Sequence, residues 1–175
     1  TSGAIAPIES ETTKETITEL ITYNGRIYVL SAPDRQIWRH SLTGNKLSTK
    51  NPWIKGSANE LNEAAAIAID GDVYVLTKQG GILKFASGIL QSWQIAGTEE
   101  ALYTRLFASP NHDYLIALNS SSKKVIVWRK TDGKLLAQYV LSSLDNLVDL
   151  VMAEDARTAY VTDGRQIYKF EVAPQ

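Results

Sequence analysis

Cysteine is absent from the 175 residues, which removes thiol nucleophiles, zinc–thiolate centres and disulfide scaffolds together. Histidine is scarce, with only His40 and His112. Neither sign of charge dominates: 18 Lys plus Arg against 19 Asp plus Glu leave a net charge of −1. No bulk attraction to nucleic acid or to an anionic membrane follows from that balance. Apolar runs are short, and the longest, Ala64 to Ile69, falls far below the ~20 residues that span a bilayer. No Gly-x-Ser-x-Gly elbow, Walker loop or His-Glu-x-x-His motif occurs. What is present is a 44% apolar composition, in a chain long enough to bury roughly 70% of its unfolded surface. One folded domain is expected. The chain opens at Thr1 rather than Met and carries no signal-peptide pattern, as expected of a trimmed or processed product.

A repeat organises the rest. Gly25-Arg26-Ile27-Tyr28-Val29-Leu30, Gly71-Asp72-Val73-Tyr74-Val75-Leu76, Asp113-Tyr114-Leu115-Ile116-Ala117-Leu118 and Arg157-Thr158-Ala159-Tyr160-Val161-Thr162 read alike. Aligning Tyr28, Tyr74, Ile116 and Tyr160 gives a period of about 44 residues, and so does aligning Trp38, Leu83, Trp128 and Tyr168 in the strand that follows. Both strands are rich in Ile, Val, Tyr and Trp, which suit a pleated, packed surface. Turn residues separate them, among them Ala32-Pro33-Asp34, Gln79-Gly80-Gly81, Ser120-Ser121-Ser122 and Asp163-Gly164. A further turn carrying Gly44, Gly88 or Gly133 leads to a fourth strand, expected to carry Trp53, Trp93 or Tyr139. Small apolar first strands such as Ala64 to Ile69 open each unit; the segment Glu60 to Ile69 is read as strand rather than helix because Gly71 follows at once.

Four strands per ~44 residues, joined by hairpins, make the blade of a β-propeller. The predicted fold is all-β, with four antiparallel four-stranded blades at about 16–56, 57–97, 98–142 and 143–173. Residues 1–15 are a flexible linker or a closing strand, and Ala4 to Ile8 is their only strand-like piece. Because the last unit stops after its third strand, the expectation is half of a larger, about eight-bladed ring, or an arc that self-associates to cover two bare blade faces.

Several of these phrases resemble NHL- and PQQ-type blades, notably Asn24 to Leu30 with Gln36-Ile37-Trp38-Arg39. Ala66 to Leu76, Gly81 to Phe85, Ala101 to Thr104 and Gly133 to Tyr139 resemble the carboxy-terminal propeller of certain bacterial membrane-anchored proteins. In those proteins a cytoplasmic module similar to magnesium-dependent serine/threonine phosphatases precedes a membrane span. The resemblance covers about residues 17–172 and implies an extracytoplasmic place, with a membrane reached only through an anchor outside this chain. Nothing in the chain matches the phosphatase's metal-binding aspartates, so the resemblance supplies no catalytic residue and no cofactor.

Chemistry-bearing residues are sparse. His40 and His112 sit beside turns and read as solvated turn residues; Asp70-Gly71-Asp72 and Asp163-Gly164 read as hairpin turns rather than calcium loops. No metal or cofactor is expected. A basic residue ends each third strand, Arg39, Lys84, Arg129 and Lys169, with its stem covering aromatics and its charge in water. Acids gather in the connections that enter the first strands: Glu15 and Glu19, Glu60 and Glu63, Glu99 and Glu100, Asp145 and Asp149. The turns after the second strands, on the same face but further out, carry Arg35, Lys78, Lys123, Lys124 and Arg165. An acidic mouth inside a basic rim is an electrostatic recognition surface. Trp38 and Trp128 recur at the blade period and are assigned to packing between blades, whereas Tyr103 is placed at the surface near the mouth.

The expected function is therefore non-enzymatic: recognition or sensing of a protein or small extracellular ligand through Glu60, Glu63, Glu99, Glu100, Tyr103, Asp145 and Asp149. A propeller hydrolase or lyase acting on a glycan through mouth carboxylates is one alternative. A purely structural assembly module is the other.

Overall fold

A computed structural model describes Ile8 and residues 16–97, 102–153, 155 and 157–174. Four antiparallel sheets follow one another along the chain. The first comprises β1 (Glu19–Tyr23), β2 (Arg26–Ser31) and β3 (Gln36–Thr43), with two short strands, β4 (Lys46–Leu47) and β5 (Asn51–Pro52), both paired to β3. The second holds β6 (Ala64–Ile69), β7 (Val73–Thr77), β8 (Ile82–Ala86) and β9 (Ile89–Leu90). The third holds β10 (Arg105–Ala108), β11 (Tyr114–Asn119), β12 (Lys124–Arg129) and β13 (Leu135–Val140). In the fourth, β14 (Asp149–Met152), β15 (Thr158–Thr162) and β16 (Ile167–Glu171) form three strands. The arrangement is a four-blade β-propeller, with one short 3₁₀ helix at Asn59–Glu63. Among the described residues no helix is long and apolar enough to cross a membrane.

Successive blades meet through their first strands: β1 lies against β6, β6 against β10 and β10 against β14. Each seam holds its own apolar core. Tyr28, Leu30 and Ile37 of the first blade pack with Ile67, Val75 and Phe85 of the second. Tyr74, Leu76 and Ile82 meet Leu115, Ile126 and Trp128 of the third. Tyr114, Ile116 and Val127 meet Leu150, Ala159 and Val161 of the fourth. Burial on both faces explains why β7 and β11 read as continuous apolar runs, ValTyrValLeuThr and TyrLeuIleAlaLeuAsn. In β15 burial alternates instead, because among the described residues no blade packs on one of its faces.

Glycine locks two seams at positive φ. A Cβ on Gly88 would lie 2.2 Å from the Trp53 carbonyl oxygen, and one on Gly133 would lie 1.9 Å from that of Gln94. At the same places Lys55 N–H donates to Gly88 C=O at 2.8 Å and Ala96 N–H to Gly133 C=O at 2.9 Å. Each hairpin tip thus hooks onto the chain leaving the preceding blade, at a distance only glycine permits.

Several expectations change. The strand register pairs Tyr28 with Arg39, Tyr74 with Lys84, Tyr114 with Arg129 and Tyr160 with Lys169. Tyr114, not Ile116, therefore holds the repeated position in the third blade. The β11–β12 hairpin runs on to Asn119 and Lys124 before turning, so alignment on the flanking sequence falls two residues late. Glu60 to Ile69 divides into a 3₁₀ turn and a strand at Ala64. Trp53 and Trp93 lie just beyond the short strands β5 and β9, while Tyr139 sits within β13. The expectation of a closing strand in residues 1–15 falls, Ile8 apart, outside the described residues.

Candidate functional site

The connections that enter the first strands are fastened to the ends of the second strands. Thr18 N–H donates to Leu30 C=O, Thr104 N–H to Leu118 C=O and Val148 N–H to Thr162 C=O, at 2.8 to 2.9 Å, and Lys78 N–H donates to Glu63 C=O at 2.8 Å. The acid-bearing connections and the β2–β3, β7–β8, β11–β12 and β15–β16 turns thus share one face. On it Glu60 and Asp145 are exposed, and Glu63 and Asp149 are half-buried. Glu15, Glu99 and Glu100 lie outside the described residues.

Tyr103 is corrected from surface to core. It is 6% exposed and stands edge-on to Trp128 with ring centroids 5.3 Å apart. Leu102 and Thr104 on either side of it are exposed, so the chain already alternates before β10 begins, and Tyr103 falls on the inward side. Two cations of the basic rim have fixed partners. Arg35 Nη1 donates to Asn59 Oδ1 at 2.9 Å, and Lys123 Nζ donates to Leu144 C=O at 2.7 Å. Both cations tie a turn to the connection that leads into the next blade; Arg35, Lys78 and Arg165 are exposed, and Lys123 and Lys124 are half-buried.

At the centre two of the expected acids, Glu19 and Asp149, are joined by Arg105, which the sequence pattern does not single out. Glu19, Arg105 and Asp149 are the first residues of β1, β10 and β14. Arg105 Nε donates to Asp149 Oδ1 at 2.7 Å, and its Nη1 donates to Thr104 C=O at 2.9 Å. Asp149 Oδ1 also accepts Leu150 N–H at 2.9 Å. Glu19 Oε2 accepts Ile67 N–H from the neighbouring blade at 2.5 Å. Burial pushes the Glu19 carboxyl above its ordinary range, against the opposing pull of the Ile67 bond and the Arg105 charge. Two carboxylates with one guanidinium leave this central group net acidic. The available signal was positional: a charged residue opens the innermost strand in three of the four blades.

The other polar motifs serve the fold. Asp70 pairs with Lys130 and Asp72 with Lys84, so a cation already neutralises each carboxylate of Asp70-Gly71-Asp72. Asp163 Oδ1 accepts Arg165 N–H and Gln166 N–H, both at 2.8 Å, and its other oxygen accepts Tyr168 O–H at 2.8 Å. These bonds hold its carboxyl below the usual range. His40 is buried, with Nδ1 3.1 Å from Ser48 C=O, rather than solvated as expected. His112 stacks on Tyr114 at 4.8 Å, with Nε2 3.0 Å from Asp155 C=O. Among the described residues no group of three or more His, Cys, Asp or Glu is placed to hold a metal ion.

Fold and geometry together define a β-propeller whose polar centre lies where its first strands converge. No family model matches the chain, and no curated protein matches it. Solved structures do share the fold. The computationally designed Ika4 protein superposes with a TM-score of 0.62 at 16% identity, covering 98% of this chain and all of that one. The designed Ika8 protein gives 0.61 at 16% identity, over 95% of this chain and 49% of that one. Hsv2 of Kluyvelomyces marxianus gives 0.59 at 11% identity, over 92% of this chain and 51% of that one. The chain spans about half the length of the last two.

Proposed function

We propose that the chain is a non-enzymatic recognition module that binds a protein partner through the face bearing the acid-rich connections. The observation carrying this reading is the cluster of Glu19, Arg105 and Asp149 at the converging strand starts, flanked on the same face by exposed Glu60 and Asp145. Charges so placed steer a partner of opposite sign and set its register more than they add affinity. The resemblance to anchored bacterial propellers points to a partner met outside the cytoplasm.

Glycan hydrolysis is less well supported. It needs a carboxylic acid and a carboxylate both free to face a sugar, whereas Glu19 is bonded to Ile67 N–H and Asp149 to Arg105 and Leu150 N–H.

The test is capture of a basic partner. Immobilised wild-type chain and the variant Glu60→Lys/Asp145→Lys are compared against synthetic Lys/Arg-rich peptides and against an extract. Wild type is expected to retain a basic ligand that the variant releases, with both melting at the same temperature. Equal retention by the two overturns the reading, and so does glycan cleavage that Asp149→Asn abolishes.

A further inference from the structure

We propose that the bare outer face of the fourth blade receives the first blade of a second copy of this chain, head to tail. The proposal rests on the seams between blades and is independent of the recognition face.

Each seam joins two kinds of cross-strand row. Rows turned toward the following blade are Ile21–Tyr28–Arg39 in the first blade, Ala68–Tyr74–Lys84 in the second and Val151–Tyr160–Lys169 in the fourth. In the third blade Tyr114–Arg129 fills that place. Rows turned toward the preceding blade are Ile67–Val75–Leu83, Ala108–Leu115–Trp128 and Leu150–Val161–Tyr168 in the second, third and fourth blades. The corresponding row of the first blade is Leu20–Val29–Trp38.

Three of the following-blade rows are covered: Tyr28, Tyr74 and Tyr114 are all buried. The fourth is not. Val151 is 60% exposed, Tyr160 38% and the adjacent Ile167 77%, and together they floor an apolar groove of about 390 Å³. Exposed apolar surface of this kind marks an interaction site. What fits it is a preceding-blade row, since that is the partner at all three internal seams.

The first blade carries such a row outside the internal seams. Val29 is buried, but Leu20 beside it is 58% exposed and Trp38, at the position of Trp128, is half-buried. The hairpin tip agrees. Gly88 and Gly133 press on the chain leaving the preceding blade, whereas a Cβ on Gly44, in the matching turn of the first blade, would meet none of the described residues within 4 Å. One chain thus presents both halves of the same joint at opposite ends. A heterologous contact of this type closes a ring when its rotation permits. Two copies joined at both ends make eight blades.

The absence of cysteine makes cross-linking decisive. Full chains carrying Val151→Cys or Leu20→Cys are treated with a short bismaleimide, singly and mixed. A cross-linked dimer in the mixture, and in neither variant alone, is the expected result. Wild type should sediment as two copies at about 100 µM, and Ile167→Asp should sediment as one with an unchanged melting temperature. Three results overturn the proposal. The double variant Leu20→Cys/Val151→Cys linking within one chain means that the four blades close on themselves. Val151→Cys linking to its own kind means face-to-face pairing. A wild-type monomer at that concentration means no joint at all.

Discussion

Lys130 reaches out of its own blade to bury its ammonium against the Asp70 carboxylate of the second blade, with the two side chains 10% and 8% exposed. Its remaining hydrogens go to the Ser109 and His112 carbonyls, both at 2.6 Å. Next to it Lys84 crosses the same seam in the other direction, donating to Lys130 C=O at 2.9 Å while pairing with Asp72 at 3.2 Å. Two lysines and two aspartates therefore clasp the second and third blades at the end opposite the acid-bearing connections. Lys84 holds the register position in its blade that Arg129 holds in the third, and Lys130 follows directly on Arg129, so the clasp joins the repeated cation of one blade to an added cation of the next.

A buried pair of this kind adds little over a well-packed apolar substitute, but losing one partner strands the other charge away from water. Lys130→Met is accordingly expected to cost about 3–5 kcal/mol, measured by urea unfolding at neutral pH. Adding Asp70→Asn should restore a large part of that loss. A cost below about 1 kcal/mol for the single variant would place the pair in solvent.

The two periodic tryptophans separate in the same assay. Trp128 is fully buried, donates its indole N–H to Ala96 C=O at 3.2 Å and packs on Tyr103. Trp38 occupies the same row in the first blade but is half-buried, with its N–H on Asp34 at 2.9 Å and Lys50 Nζ 4.2 Å from its ring centroid. Trp128→Ala should cost about 3–5 kcal/mol and Trp38→Ala about 1 kcal/mol. Equal losses would mean that the outer face of the first blade is packed as tightly as an internal seam.

That contrast marks where sequence reading succeeds and where it stops. The blade is legible because stacking makes the same demand on every unit: branched and aromatic residues in the middle strands, glycine where a hairpin tip touches its neighbour. Position along the stack is not, because Trp38 and Trp128 differ only in what lies beyond them. Turn length is likewise silent, and the two extra residues beyond Tyr114 moved the repeat from Tyr114 to Ile116. The exposed acids Glu60 and Asp145 follow from their loops. Arg105 does not, since nothing near it in sequence hints that Asp149, 44 residues on, waits beside it. Tyr103 is buried against Trp128 because seams, not strands, decide burial at a blade's entry.

Glu19 tests the electrostatics of the centre. Its carboxyl titrates above its ordinary value of 4.5, chiefly because burial penalises the charged form. Across that window the native chain keeps a proton that the unfolded chain has already released. Stability is therefore present below the ordinary value and lost as pH rises through the raised one. Above the raised value the folded state holds a partly desolvated charge. Glu19→Gln removes that charge while keeping a side-chain oxygen for Ile67 N–H, so the variant should melt higher than wild type at pH 7. The difference should shrink on acidification, as the glutamic acid takes up its proton in the fold. Thermal melts at half-unit intervals between pH 4 and 8 check this directly. A variant less stable than wild type at pH 7 would show instead that the attraction of Arg105 and the hydrogen bond outweigh desolvation, and that the negative charge helps to hold the first strands together.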